Sequence, residues 1–176
     1  MDNSLTVLDT LREWQIPFEY YEHDPAPTID ACVKMPFITP EVVICKNIFL
    51  CNRQKTQFYL MLLKPEKAFS TATVSKELSV SRLSFAPESL LPELLGLQAG
   101  AVSPLGLLFD KKRQVSLVCD RQIAEYPRIA VHPCVNTATV VFEAEDFWKG
   151  VLRRINIAPQ WVLSIDPLPA ADKAVL

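Results

Sequence analysis

A lysine inside an apolar strand pattern is the first place where this chain departs from what a core requires. Val42, Ile44, Lys46, Ile48 and Leu50 recur with period two and share one face of a strand. Four are apolar and one carries a cation. Asn47 repeats the departure on the opposite face, among Val43, Cys45, Phe49 and Cys51. Two readings of Lys46 are open. The strand leaves the core and its lysine snorkels to water, or the ammonium lies at the floor of a cleft and holds an anionic ligand.

Glycine marks a second place. The chain has 4 glycines, and Gly96, Gly100 and Gly106 fall within one stretch that also holds Ser103 and Pro104. Glycine permits positive φ and lets a ligand approach the backbone closely. The stretch is either a helix C-cap followed by a long turn, or a loop whose N–H and C=O groups line a site, with Ser103 adding a hydroxyl. The third place is His132-Pro133-Cys134-Val135-Asn136-Thr137-Ala138-Thr139, where polar residues interrupt two strand-like runs. It contains one of the 2 histidines, either a hydrogen-bonded residue at a strand end or part of a polar wall.

These residues do not form a covalent catalyst. Cys134 lies two residues from His132, but no orienting third group accompanies the pair and no nucleophile-elbow sequence occurs. The histidines and the cysteines Cys32, Cys45, Cys51, Cys119 and Cys134 lack metal-ligand spacing and contain no C-x-x-C. The glycine-rich dinucleotide and phosphate-loop signatures are missing too, so no cofactor is implied. A hydrolase made from this set works by positioning water and polarising a carbonyl.

The elements that must position these residues follow from periodicity and turn chemistry. Leu5, Leu8, Leu11 and Trp14 predict a helix over Ser4–Gln15, started by Thr6 with Asp9 and ended by Pro17. Phe18–His23 reads as a strand, and Thr28 caps a short helix that stops before Pro36. Glu41–Cys51 reads as one long strand, in a hairpin with Phe58–Leu63. Helices are expected over Ser70–Leu78 and Pro87–Leu95, with a short strand at Arg82–Phe85 between them. Leu105–Phe109 and Gln114–Cys119 are expected to pair as a second hairpin around Asp110–Arg113. Strands at Arg128–His132 and Thr137–Phe142 precede a closing helix over Glu143–Arg154. Strands mixed irregularly with short helices indicate an α+β domain rather than a doubly wound one.

The whole-chain numbers agree with one domain. The chain has 176 residues, of which 49% are hydrophobic and 22% charged, enough for a single core and too apolar for wholesale disorder. Lys plus Arg is 18 and Asp plus Glu is 20, so the net charge of −2 excludes a generic basic nucleic-acid binder. No apolar run approaches the roughly 20 residues of a membrane span. Met1-Asp2-Asn3-Ser4 lacks the basic and apolar regions of a signal peptide, so reduced thiols in a cytoplasmic protein are expected. A domain over residues 1–154 and a C-terminal extension over 155–176, docked or partly disordered, is the expected organisation.

Taken in order, five segments resemble the prolyl-tRNA editing family, the YbaK-type aminoacyl-tRNA deacylases. They are Ile16-Pro17-Phe18-Glu19 with Glu22-His23; Cys45-Lys46-Asn47-Ile48-Phe49-Leu50; Ser81-Arg82-Leu83-Ser84-Phe85-Ala86; Gly100-Ala101-Val102-Ser103-Pro104; and His132-Pro133 with Asn136-Thr137-Ala138-Thr139. The freestanding branch that clears mischarged alanyl-tRNA(Pro), the ProXp-ala or PrdX-like proteins, is the most similar. The resemblance implies an α+β fold around a curved, partly barrel-like mixed β-sheet with surrounding helices. It implies hydrolysis of the ester joining an amino acid to the terminal adenosine of tRNA, without a cofactor.

Site residues carry over position by position. Lys46 inherits the key functional role, and Gly100, Ser103 and His132 are placed with it as catalytic. Asn47, Thr28, Ala101, Val102, Pro104, Asn136 and Thr137 are expected to bind substrate. Asp24-Pro25-Ala26-Pro27 replaces a more apolar segment before the family threonine, which bears on the preferred amino acid. The expected partner is the acceptor end of tRNA, with transient prolyl-tRNA synthetase contact and neither membrane nor DNA. Lys64, Lys67, Lys111, Lys112, Arg113, Arg121 and Arg128 are expected to supply a local basic rim, with Lys111–Arg113 as the first candidate for phosphate contact. The alternatives are a deacylase for Cys, Ser or Thr, a non-catalytic tRNA- or synthetase-binding module, and a regulator that binds a free amino acid.

Overall fold

Two mixed sheets enclose one core, and the chain passes from one to the other at Cys45. The computed structural model describes residues 3–26 and 28–163. Helix α1 (Ser4–Glu13) precedes β1 (Glu19–Glu22), α2 (Ile29–Cys32), β2 (Val42–Ile44), β3 (Lys46–Cys51) and β4 (Phe58–Leu63). Then come α3 (Thr71–Glu77), β5 (Ser84–Phe85), α4 (Leu91–Leu95), β6 (Val115–Asp120), β7 (Arg128–Val131), β8 (Ala138–Glu143), α5 (Leu152–Arg154) and β9 (Gln160–Val162). The first sheet runs β1-β8-β7-β2 and the second β5-β3-β4-β6-β9. Pairings β2·β7, β4·β6 and β6·β9 are parallel, and the others are antiparallel. The α+β class is as expected, with the sheets open rather than closed into a barrel.

Alternation explains the packing. Odd residues of the crossing segment, Val43, Cys45, Phe49 and Cys51, point into the central core with Leu60, Leu117, Ile129 and Phe142 from both sheets. Even residues point outward into two smaller clusters. Val42 and Ile44 pack with Ala26 and Cys32 beside α2. Ile48 and Leu50 pack with Val74 of α3 and Leu83. Both faces of the segment are therefore covered, and Lys46 stands between the two outer clusters. The expected single strand over Glu41–Cys51 is corrected to two, because a continuous ladder cannot serve sheets that diverge.

Other elements differ in physically readable ways. Leu105–Phe109 is not a strand: Pro104–Leu108 forms a 3₁₀ helix capped by the Ser103 side chain, with Pro at its start. No hairpin forms there, and Lys111–Arg113 lies in the turn that leads to β6. The closing helix is a π-helix over Asp146–Val151 continued by α5. Thr28 caps α2 as expected, the Ser70 side chain caps α3, and Asn3, not Thr6, precedes α1. Within the expected extension, β9 pairs with β6, Val162 is buried, and Trp161 packs on Trp148. Residues 164–176 and Pro27 lie outside the described residues. No described helix is long and apolar enough to cross a membrane.

Candidate active site

The point where the chain changes sheets forms the floor of a cleft of about 300 Å³. Ile44, Cys45, Lys46 and Asn47 are the floor. Ala130, Val131 and His132, at the end of β7, form one wall, and Ala26, Thr28, Ile29 and Cys32 around α2 form another. Gly100, Val102 and Glu88 complete the rim. The lining is mostly small and apolar, with few polar groups converging on it, as in many small-molecule sites.

Lys46 is held, not free. Its Nζ donates to the main-chain oxygen of Lys67 at 2.6 Å. An ammonium has three donors, and its charge also reaches the Glu66 carboxylate, which pairs with Lys64. The Asn47 Nδ2 donates to the Cys45 oxygen at 3.2 Å, while its Oδ1 is buried without a partner. Of the two readings of Lys46, the half-buried ammonium at a cleft floor is the one the geometry supports. Lys67 itself is buried and donates from Nζ to Asp120 Oδ2 at 2.7 Å.

The polar wall is built for neutral groups. His132 is 7% exposed. Its Nδ1 lies 2.9 Å from the Ala138 oxygen, which can only accept, so Nδ1 carries the proton. Nε2 is then the acceptor that faces the Cys32 thiol at 3.7 Å. Burial holds His132 below the usual imidazole range, against the pull of the Ala138 carbonyl, with a further push down from His23. Burial also pushes the Cys32 thiol up, and the Cys45 thiol to about 12. A thiolate–imidazolium couple needs both shifts in the opposite sense. Cys32 and His132 therefore form a neutral wall, not a nucleophile and its base. Among the described residues, no group of three or more His, Cys, Asp or Glu side chains is arranged to hold a metal ion.

The same shift sets a pH dependence. The fold favours neutral His132, so the unfolded chain takes up the proton first as pH falls below about 6.5. Stability is expected to fall from there through the lower folded value. Urea midpoints measured at pH 7.5 and 5.5 check this. The drop should shrink in His132→Asn, whose amide can still donate to Ala138, and an unchanged drop would show that another group sets it.

The expected site residues divide into three groups. Lys46, Asn47, Thr28, Gly100, Val102 and His132 all line the cleft. Asn136 stands beside it, since a Cβ on Gly100 (φ +79°) would lie 3.7 Å from Asn136 Nδ2. Ser103, Ala101, Pro104 and Thr137 are support. The fully buried Ser103 hydroxyl donates to the His132 oxygen and accepts from Leu105 N, so it ties the glycine loop to the histidine wall and does not reach a ligand. Ala101 is buried, and Pro104 begins the 3₁₀ helix. Thr137 is exposed and its carbonyl accepts from His23 N at 3.0 Å. Lys111 and Lys112 border a different concavity with Glu93 and Phe109, and with Arg113 they take no part in the cleft.

Several contributors escaped the sequence reading. Cys32 and Glu88 line the cleft, and a groove holding Phe49, Phe85 and Leu91 shares Asn47, Glu88 and Val102 with it. Phe85 is 67% exposed, an unusual state for a phenylalanine. It ends the short strand expected over Arg82–Phe85, and both residues of the strand that forms, Ser84 and Phe85, are exposed. Lys67 and Asp120 had no local signal, as 53 residues separate them.

Comparison with known proteins is consistent with this layout. The sequence pattern described as the aminoacyl-tRNA editing domain matches residues 23–149, which span the cleft from His23 to the closing helix. The prolyl-tRNA editing protein ProX of Acetoanaerobium sticklandii is 35% identical over 151 residues, 86% of this chain and 92% of that protein. The prolyl-tRNA synthetase associated domain-containing protein 1 of Danio rerio is 30% identical over 142 residues, covering 79% and 76%. A solved structure described as a candidate trans-editing enzyme for prolyl tRNA synthetase shares the fold, with a TM-score of 0.68 at 14% identity, over 94% of this chain and 99% of that one. With the pattern spanning most of its length, and with a relative 35% identical along 92% of that relative's sequence, the chain belongs to the aminoacyl-tRNA editing domain family.

Proposed function

We propose that this chain hydrolyses the ester of mischarged aminoacyl-tRNA in trans, with alanyl-tRNA(Pro) as its substrate. One observation carries the reading: Lys46, whose ammonium is fixed by a main-chain carbonyl, lines the floor of a small and otherwise mostly apolar cleft. In this reading the aminoacyl group enters between α2 and β7. The ammonium of Lys46 meets the negative charge that builds on the ester carbonyl oxygen, or the terminal phosphate beside it. Water adds to the carbonyl carbon, the bond to the ribose oxygen breaks, and that oxygen takes up a proton as the 3′-hydroxyl. The substrate's own α-ammonium already activates the carbonyl. Positioning and one cation are then enough, and no nucleophilic side chain is needed.

Alanine is the assignment that the family resemblance favours, and the small side chains of Ala26, Cys32 and Ala130 stand with Ile44 and Val131 on the apolar side of the cleft. A methylene more or less is worth only about 1–3 kcal/mol in such a pocket, so steric exclusion of the proline ring is the effective filter. The terminal nucleotides are assigned to the adjoining groove, where Phe85 offers an exposed ring for a base to stack on. Arg53 and Arg82, around the next concavity, take the place of Lys111–Arg113 as phosphate contacts.

The test is deacylation of alanyl-, cysteinyl- and prolyl-tRNA(Pro) by the purified chain. Rapid loss of alanine that spares proline is expected. If none of the three is hydrolysed, the reading fails. If cysteine is removed faster than alanine, the amino-acid assignment changes and the chemistry stands.

A further inference from the structure

We infer that the buried Lys67–Asp120 pair is the positioning device for Lys46. The inference rests on the proposed role of Lys46 and adds what holds it in place. Lys67 and Asp120 have side-chain exposures of 9% and 0%, against 21% and 62% for the neighbouring Lys64–Glu66 pair. Taking two charges out of water is costly, and a buried ion pair is seldom retained for stability alone. This one joins the end of an inner strand to the residue that holds the site lysine.

The connection runs through three links. Asp120 is the last residue of β6, flanked on both sides by β4 and β9, and its Oδ1 also accepts from Gln122 N at 2.8 Å. Its Oδ2 receives the Lys67 Nζ at 2.7 Å. The Lys67 carbonyl receives the Lys46 Nζ at 2.6 Å. Residues 64–70 have no helix or strand of their own; the Lys67 N–H donates to the Lys64 oxygen at 3.2 Å in a turn, and side chains supply the rest of the anchoring that sets the direction of the Lys67 carbonyl. With Lys67 pinned to a rigid strand end, the carbonyl is fixed, and the long Lys46 stem is held in one orientation before substrate arrives. Preorganisation of this kind acts on the chemical step rather than on affinity. Lys67 and Asp120 are thus positioning residues that act through another group.

The experiment uses the full chain carrying Lys67→Met together with Asp120→Asn, which removes both charges and leaves neither stranded. Two quantities are read. One is the ε-ammonium ¹⁵N–¹H signal of Lys46, assigned by its loss in Lys46→Ala. The other is the split between kcat and KM for alanyl-tRNA(Pro). A Lys46 signal broadened or shifted, with kcat down roughly 10- to 100-fold and KM within about twofold, is the expected result. Lys67→Arg, which keeps the ion pair and the carbonyl, should restore both. Leu11→Ala, a core change in α1, should lower stability with kcat and the Lys46 signal unchanged. An unaltered Lys46 signal with wild-type kcat overturns the inference. If the double variant does not fold, Asp120→Glu, which keeps the charge and moves it by one methylene, is read against the same two outcomes. If the wild type deacylates nothing, the deacylase reading fails, and the Lys46 signal alone decides the positioning.

Discussion

Lys46→Ala is expected to slow single-turnover deacylation by about 10²–10³-fold, the usual cost of removing one preorganised donor from a developing oxyanion. The ammonium is half-buried and already oriented by the Lys67 carbonyl, so its interaction with the transition state needs little reorganisation. The loss should fall mainly on kcat if the ammonium meets the carbonyl oxygen, and on KM if it meets the phosphate, which is present equally in ground and transition states. Lys46→Arg should not rescue. A planar guanidinium is wider than an ammonium and cannot keep the same donor on the Lys67 carbonyl at the cleft floor. Rates within twofold of wild type for Lys46→Ala would reduce the lysine to a feature of the fold and remove the observation on which the proposed function rests.

Asp120→Ala should lower stability by about 3–5 kcal/mol. The variant leaves the Lys67 ammonium buried without its carboxylate, and it removes the acceptor for Gln122 N at the start of the 3₁₀ helix that follows β6. For a chain of this size that corresponds to a Tm lower by roughly 6–20 °C, at 2–4 °C for each kcal/mol. Adding Lys67→Met to Asp120→Ala should recover much of the loss, since replacing a whole buried pair by apolar groups is often neutral. Calorimetry on the wild type, the single variant and the double variant measures both numbers. A loss below about 1 kcal/mol for Asp120→Ala would mean that water reaches Lys67 and that the pair is not sealed.

What could be read beforehand was what depends on neighbours in sequence. Alternation from Val42 to Leu50 showed Lys46 as an intruder, and the structure makes that lysine the cleft floor. The cap at Thr28 was legible because a capping side chain acts three residues away. The rarity of glycine drew attention to Gly100, whose φ of +79° needs that residue type. The misreadings also have local causes. The apolar run Leu105–Phe109 has a composition that suits a strand or a buried helix turn equally, and Ser103-Pro104 settled it for the helix. Ser103 looked reactive because a hydroxyl in a glycine-rich loop is a plausible ligand group, and its burial is a tertiary fact. The charge of Lys111–Arg113 was visible in sequence, whereas the concavity that Lys111 and Lys112 border, separate from the cleft, was not. The Lys67–Asp120 pair could not be seen at all, since no spacing rule links residues 53 positions apart.

The change of sheet at Cys45 also bears on when the cleft comes into being. One side of Lys46 depends on the β3–β4 hairpin, whose strands are joined by a short turn and pair soon after both are synthesised. The other side depends on β2 finding β7, and on Cys32 meeting His132 100 residues later. A ribosome must therefore release most of the chain before the opposite wall exists. A protein that guards the accuracy of translation would then acquire its own working site only when its own translation is nearly complete. A half-made copy would present the lysine without the walls that decide which aminoacyl group reaches it.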